Sequence, residues 1–230
     1  MHFKKIREKL MGKYEYYFKP KHKKGFGGVF NGQIIRKQIY SDLLARFNFN
    51  YLVETGAYRA NTTMFLAEST LPVYTVEIND RFHSYSETRT KKINNINLYQ
   101  NDSRTFLRDL SSNKNLLHEN VFFYLDAHGW ENHPLNEEIL IIFNNWQNSI
   151  VMVDDFKVPE TDYAFDDYGG NKILDLNFIK KTISTLDLKV YFPKEGPEKE
   201  TGFKRGCVIL AREKESVEKL EKIKSIYLYN

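Results

Sequence analysis

Residues Tyr51–Thr63 read YLVETGAYRANTT: an apolar run, an acid, a single glycine, and a polar turn that enters a helical segment. In nucleotide-binding α/β folds this strand, loop and helix order carries a turn whose three glycines let the backbone approach a pyrophosphate. Here Gly56 stands alone, Tyr58 and Ala60 occupy the later positions, and Glu54 opens the loop. A carboxylate at that point repels a pyrophosphate and attracts a cation. The stretch therefore predicts a strand–loop–helix unit built for something other than phosphate.

Outward from this stretch, short apolar runs alternate with segments of helical length. The runs are Tyr51–Val53, Val73–Val76, Ile96–Tyr99, Val121–Leu125 and Ile150–Val153; the helical segments lie around 62–69, 81–93, 103–110 and 135–143. A further helix over Gln33–Phe47, with Ile35, Ile39, Leu43 and Phe47 at helical spacing, leads into them. Such alternation predicts right-handed βαβ units, a parallel sheet and helices on both faces. After the fifth run the rhythm changes. FKVPETDYAFDDYGGNK (156–172) is a long acidic and aromatic loop, a helix follows near 173–186, and the runs Leu188–Phe192 and Gly206–Ala211 flank a polar turn, as in an antiparallel hairpin.

Ligands of open α/β sheets bind beyond the carboxyl ends of the strands. Each of the five runs ends in acid: Glu54, Glu77, Asp102, Asp126 (with His128 two residues on) and Asp154–Asp155. Glu77 lies 21 residues beyond Gly56, a suitable distance for a carboxylate that accepts both ribose hydroxyls. Asp102 could accept from an adenine amino group or cap the helix after it. A ligand with an ammonium, a ribose, an adenine and no phosphate is S-adenosylmethionine. From about Phe26 to Ala211 the chain resembles a class I S-adenosylmethionine-dependent methyltransferase: ETGAYRANTT resembles that family's first motif, YTVEIN the second, NDSRTFL the third, FYLDAH the fourth and VMVDDF the fifth. GGVFNGQ, LDAH and VDDFKVP are most similar to bacterial sugar and natural-product O-methyltransferase-like proteins.

The resemblance implies a Rossmann-like seven-stranded sheet, five parallel strands plus the C-terminal hairpin, in the order 3-2-1-4-5-7-6. It implies cofactor contacts from Glu54, Gly56, Tyr58, Thr62, Thr63, Glu77, Asp102 and Ser103. In that order the fourth and fifth strands are neighbours, so Asp126 faces Asp154 and Asp155, and like charges so placed call for a cation. Oxygen-only ligands suit Mg²⁺ or Mn²⁺. Adjacent residues of an extended strand face opposite ways, so either the chain has turned by Asp155 or one of the two acids is structural. His128 is either a general base with an imidazole pKa near 6.5 or a surface-loop histidine. Tyr163, Asp166, Asp167 and Tyr168 equip the 156–172 segment to bind a sugar, as a lid or as an ordered insertion.

Composition bounds the rest. The 230 residues suit one α/β domain: an N-terminal arm at 1–30, a methyltransferase domain at 31–212 and a terminal helix at 213–230. No apolar stretch approaches the roughly 20 residues of a membrane span, and with the lone Cys207 a cytoplasmic location is expected. Residues 1–24 carry nine Lys/Arg against Glu8 and Glu15, a net of +7 that leaves −3 for the rest of a chain whose total is +4. That arm could touch RNA, anionic lipid or an acidic substrate, or simply pack on the body or on a partner copy. The function expected is metal-assisted O-methylation of a sugar or other polyhydroxylated small molecule. Nucleic-acid methylation through the arm, and a non-catalytic protein of the same fold, are the alternatives.

Overall fold

The computed structural model describes residues 2–129, 133–170 and 172–229. Helix α1 (His2–Phe18) and two 3₁₀ segments (20–27 and 29–32) lead to α2 (Ile34–Arg46). There follow β1 (Tyr51–Thr55), α3 (Asn61–Ala67), β2 (Val73–Val76), α4 (Asp80–Thr90), β3 (Ile96–Tyr99), α5 (Ser103–Ser111), the short α6 (Lys114–Leu117), β4 (Val121–Leu125), α7 (Leu135–Asn145) and β5 (Ser149–Val153). The chain then runs through α8 (Leu176–Leu186), β6 (Lys189–Pro193), β7 (Val208–Ala211), α9 (Lys214–Leu220) and β8 (Ile226–Tyr229).

The strands form one sheet in the order β3-β2-β1-β4-β5-β7-β6-β8. The first five pair in parallel, and β7, β6 and β8 add antiparallel. Alternate residues of the central strands feed opposite faces. Val53, Phe123 and Val151 join α7 and α8 in one core, while Leu52, Phe122 and Ile150 join α2 and α3 in the other. Strands covered on both sides have no polar face to show, which is why β1, β4 and β5 read as continuous apolar runs. Each fully buried side chain of this kind contributes about 1.5–3 kcal/mol.

Two expectations are corrected. The sheet has eight strands, because IYLY (226–229) pairs with β6 and covers the edge that a seven-stranded sheet would leave open. The terminal segment 213–230 is therefore helical only over Lys214–Leu220; Ile226 is buried, and the Tyr227 and Tyr229 rings lie against Phe192. Of the arm at 1–30, α1 packs on the body, one of the placements expected for it. Gly12 of α1 lies so close to α4 that an added Cβ would sit 2.1 Å from the Arg81 carbonyl oxygen, and Glu15 is ion-paired with Arg59 and Arg81.

Candidate functional site

The sheet register puts the predicted acids along one crevice. Thr55 pairs with Val76 and Leu125, and Leu125 with Val153, so Glu77, Asp126 and Asp154 each leave their strands at one level. A cavity of 880 Å³ opens there, lined among others by Glu54, Gly56, Tyr58, Thr62, Glu77, Asp102, Ser103, Asp126, His128 and Asp155. Its size is that of a site for a cofactor-sized ligand.

On the β1–β2 side the acids meet only neutral donors among the described residues. Glu54 is 1% exposed; one of its oxygens accepts from the Thr63 and Thr75 hydroxyls at 2.5 and 2.6 Å. Thr63 thus lies behind Glu54, and the cavity wall takes Thr62 instead. Glu77 is 8% exposed and accepts the Tyr58 amide on Oε2 (2.8 Å) and the Asn79 amide on Oε1 (2.7 Å). Burial pushes both carboxyls up to about 7, with hydrogen bonds opposing it.

The loop between them needs one glycine. Gly56 has φ +88°, and a Cβ there would lie 2.2 Å from the Asp126 carbonyl oxygen, so the close approach it permits is to β4's own backbone. Tyr58 and Ala60 also take left-handed conformations, φ +46° and +56°. Arg59 between them lies over the Tyr58, Phe82 and Tyr85 rings at 4.5, 5.0 and 5.6 Å. These residues reshape the loop and leave the cavity open. Asp102 combines its two expected possibilities: it caps α5, accepting from the Arg104 and Thr105 amides, and lines the cavity with Ser103. The Arg104 guanidinium, paired with it at 2.8 Å, holds it below the ordinary carboxylate range against the effect of burial.

On the β4–β5 side the three aspartates converge as expected, with carboxylate oxygens of Asp126, Asp154 and Asp155 within 4.8 Å of one another. Their countercharge is already present. Arg36, fully buried on α2, is ion-paired with Asp154 and donates to the carbonyls of Arg205 (2.5 Å) and Gly206 (2.9 Å). Asp154 further accepts from the Tyr124 hydroxyl, from Asn31 Nδ2 (3.3 Å) and from the Asp155 amide (2.7 Å). Asp155 pairs with Arg205 (2.6 Å) and accepts from Asn31 Nδ2 (3.1 Å). The chain has turned at Asp155, φ +53°, so Asp155 reaches the cavity while Asp154 is a buried structural acid. Asp126 accepts no side-chain hydrogen bond among the described residues; burial, then Asp155 and Glu54, push its carboxyl well above the usual range.

His128 lines the cavity, and its two ring nitrogens are buried without a hydrogen-bond partner among the described residues. Burial pushes its pKa down to about 4, which corrects the expectation of an ordinary imidazole: His128 is neutral at neutral pH and a weak base. Of the four residues expected to bind substrate, Asp166 lines the cavity, held by Arg205 and the Tyr168 hydroxyl. The Tyr168 ring packs against His133 with centroids 4.4 Å apart and the planes tilted by 60°, and Tyr163 is buried, donating to the Glu195 carbonyl at 2.9 Å. Asp167 is exposed and accepts from the Gly169 amide in a local turn. The described part of 156–172 is joined to 204–206 by backbone bonds between Ala164 and both Lys204 and Gly206.

No protein-family model matches the sequence, and no curated protein matches it. Solved structures do. The methyltransferase domain of bacterial CtHen1 is similar in two forms: CtHen1-C with a TM-score of 0.55 and 12% identity over 79% of this chain and 98% of that one, and CtHen1-CN with 0.53 and 14% over 77% and 97%. The chain has the class I methyltransferase fold. DesVI from Streptomyces venezuelae is similar as well, with a TM-score of 0.53 and 11% identity over 78% of this chain and 90% of that one. At such identities the likeness is one of fold.

Within the methyltransferase fold, what the sequence reading missed is the set of groups that meet the acids. Arg36 stands three and seven residues before Ile39 and Leu43, on the buried face of α2, and a lone arginine on an apolar helix face was the available signal for a buried carboxylate. The GGVFNGQ segment presents Asn31 to Asp154 and Asp155, and Gln33 to the backbone of Arg205 on both sides (2.7 and 2.9 Å). Arg205, in the β6–β7 connection, carried no local signal because its partners are 50 and 39 residues away in sequence.

Proposed function

We propose that this protein is an S-adenosylmethionine-dependent O-methyltransferase acting on a sugar or other polyhydroxylated small molecule. The observation that carries this reading is Glu77: it is nearly buried, lines the cavity, and is fixed through both oxygens by the Tyr58 and Asn79 amides, with acceptor capacity left on each. So held, it would accept two adjacent ribose hydroxyls. Glu54, beside Gly56, would meet the ammonium group, and Asp102 with Ser103 the adenine edge. S-adenosylmethionine, when bound, supplies an electrophilic methyl group. Asp126 would take the proton of the acceptor hydroxyl as the new carbon–oxygen bond forms and the carbon–sulfur bond breaks, and neutral His128 would hydrogen-bond and orient that hydroxyl. Asp166 and Arg205 on the same wall offer an acceptor and a donor to neighbouring hydroxyls.

The expected Mg²⁺ or Mn²⁺ does not fit the three aspartates as they stand. Both oxygens of Asp154 and one of Asp155 are already hydrogen-bonded, and two guanidinium charges offset the cluster. No step is therefore assigned to a metal. Incubation with S-adenosylmethionine, a chelator and a panel of sugars should yield a product heavier by one methyl group. Asp126→Asn should lower its rate roughly 10²–10⁴-fold, the scale of general-base catalysis. Methylation of RNA in place of sugars, or failure to bind the cofactor at all, would overturn the reading.

A further inference from the structure

Helix α1 wears its apolar side outward. A surface helix of a globular protein ordinarily turns its apolar stripe to the core. Here the face on α4 carries Gly12, Glu15 and Tyr16: Gly12 against the Arg81 carbonyl, Glu15 paired with Arg59 and Arg81, and Tyr16 edge-on to Tyr85 at 5.5 Å. At 3.6 residues per turn, Phe3, Ile6, Leu10, Tyr14 and Tyr17 fall in an arc of about 80° on the opposite side. Each of them is between 43% and 88% exposed. Arg7 and Lys13, both exposed, border this arc.

We infer that α1 is a docking face for an anionic lipid surface. An apolar arc bordered by lysine and arginine is the pattern of a helix that lies in the plane of a membrane, its apolar side among the headgroups and its cations on anionic lipid. Charge selects this occupant over a second copy. Stripe-to-stripe pairing would bring Arg7 and Lys13 of one copy against those of the other, between arms that each carry a net +7 over residues 1–24, with no acid on the stripe to offset them. A nucleic acid would satisfy the cations and leave Phe3, Ile6 and Leu10 in water. Docking leaves the contact with α4 intact, and Glu15 then joins the docked helix to Arg59 in the loop beside Glu77.

Flotation of the full chain with vesicles tests this. The protein should bind vesicles of mixed phosphatidylcholine and phosphatidylglycerol, not phosphatidylcholine alone, and raised salt should weaken the binding. Leu10→Glu should reduce binding roughly tenfold or more, with the thermal midpoint and the affinity for S-adenosylhomocysteine unchanged; Lys13→Glu should reduce it less and shrink its salt dependence. Absence of vesicle binding by the wild type, or equal binding by Leu10→Glu, would overturn the inference. So would a concentration-dependent dimer that Leu10→Glu dissolves, or salt-sensitive RNA binding indifferent to Leu10→Glu, if either occurs without vesicle binding.

Discussion

The two sides of the crevice hold the same kind of residue, buried or half-buried acids at strand ends, in opposite electrostatic states. On the β1–β2 side Glu54 and Glu77 meet, among the described residues, only hydroxyls and amides, so burial dominates and both carboxyls rise to about 7. On the β4–β5 side Asp154 and Asp155 are met by the guanidinium groups of Arg36 and Arg205. Neutral donors leave a carboxylate in need of positive charge or further donors, which a ligand can bring. A guanidinium removes that need. One side thus leaves its carboxylates able to take positive charge or further donors, while most of the other is closed by ion pairs, and Asp126 is the acid of that side that accepts no side-chain hydrogen bond among the described residues.

The largest expected effect tests the closed side. Arg36→Met should strand Asp154 in the core and cost about 3–5 kcal/mol in urea unfolding. Arg36→Met combined with Asp154→Leu should recover most of it; a single variant costing less than about 1 kcal/mol would mean that the pair behaves as a surface ion pair and that the contrast is false. Next comes the hinge between the sides. Gly56→Ala would force a Cβ against the Asp126 carbonyl at a left-handed φ, and should cost about 1–3 kcal/mol in the same assay. The smallest effect lies on the ligand-ready side, where Asp102→Ala should cost about 1 kcal/mol through loss of the α5 cap.

Much of this was legible in sequence, and the pattern of what was not has a physical cause. The places of the five parallel strands along the chain followed from apolar runs such as VFFYL, because strands buried on both faces have no other composition open to them, although β1 runs on to Thr55 and β5 starts at Ser149, beyond the apolar residues. The line of acids followed from strand ends alone. IYLY was hidden as a strand because only its pairing with β6 makes it one. The cations were hidden because a buried ion pair is a long-range fact: Arg36 lies 118 positions from Asp154 in the numbering. Burial likewise cannot be read locally, so His128 was expected to titrate near 6.5 and is pushed to about 4.

The claim that the β1–β2 side is ready for a cationic, hydroxyl-rich ligand is tested most directly by its protons. Glu54 and Glu77 have pKa values raised from 4.5 to about 7 in the folded chain. Between those values the folded state keeps protons that the unfolded state has released, so their contribution to stability falls as pH rises from 4.5 to about 7 and is constant above. A ligand that brings an ammonium and ribose hydroxyls favours the charged forms, lowers both pKa values and releases protons on binding. Titration calorimetry of S-adenosylhomocysteine into the protein with a chelator present should therefore show one site per chain. Affinity should rise between roughly pH 5 and pH 8 with proton release, and Glu54→Gln should flatten that rise. Binding that is absent, or that is independent of pH in the wild type, would contradict the account.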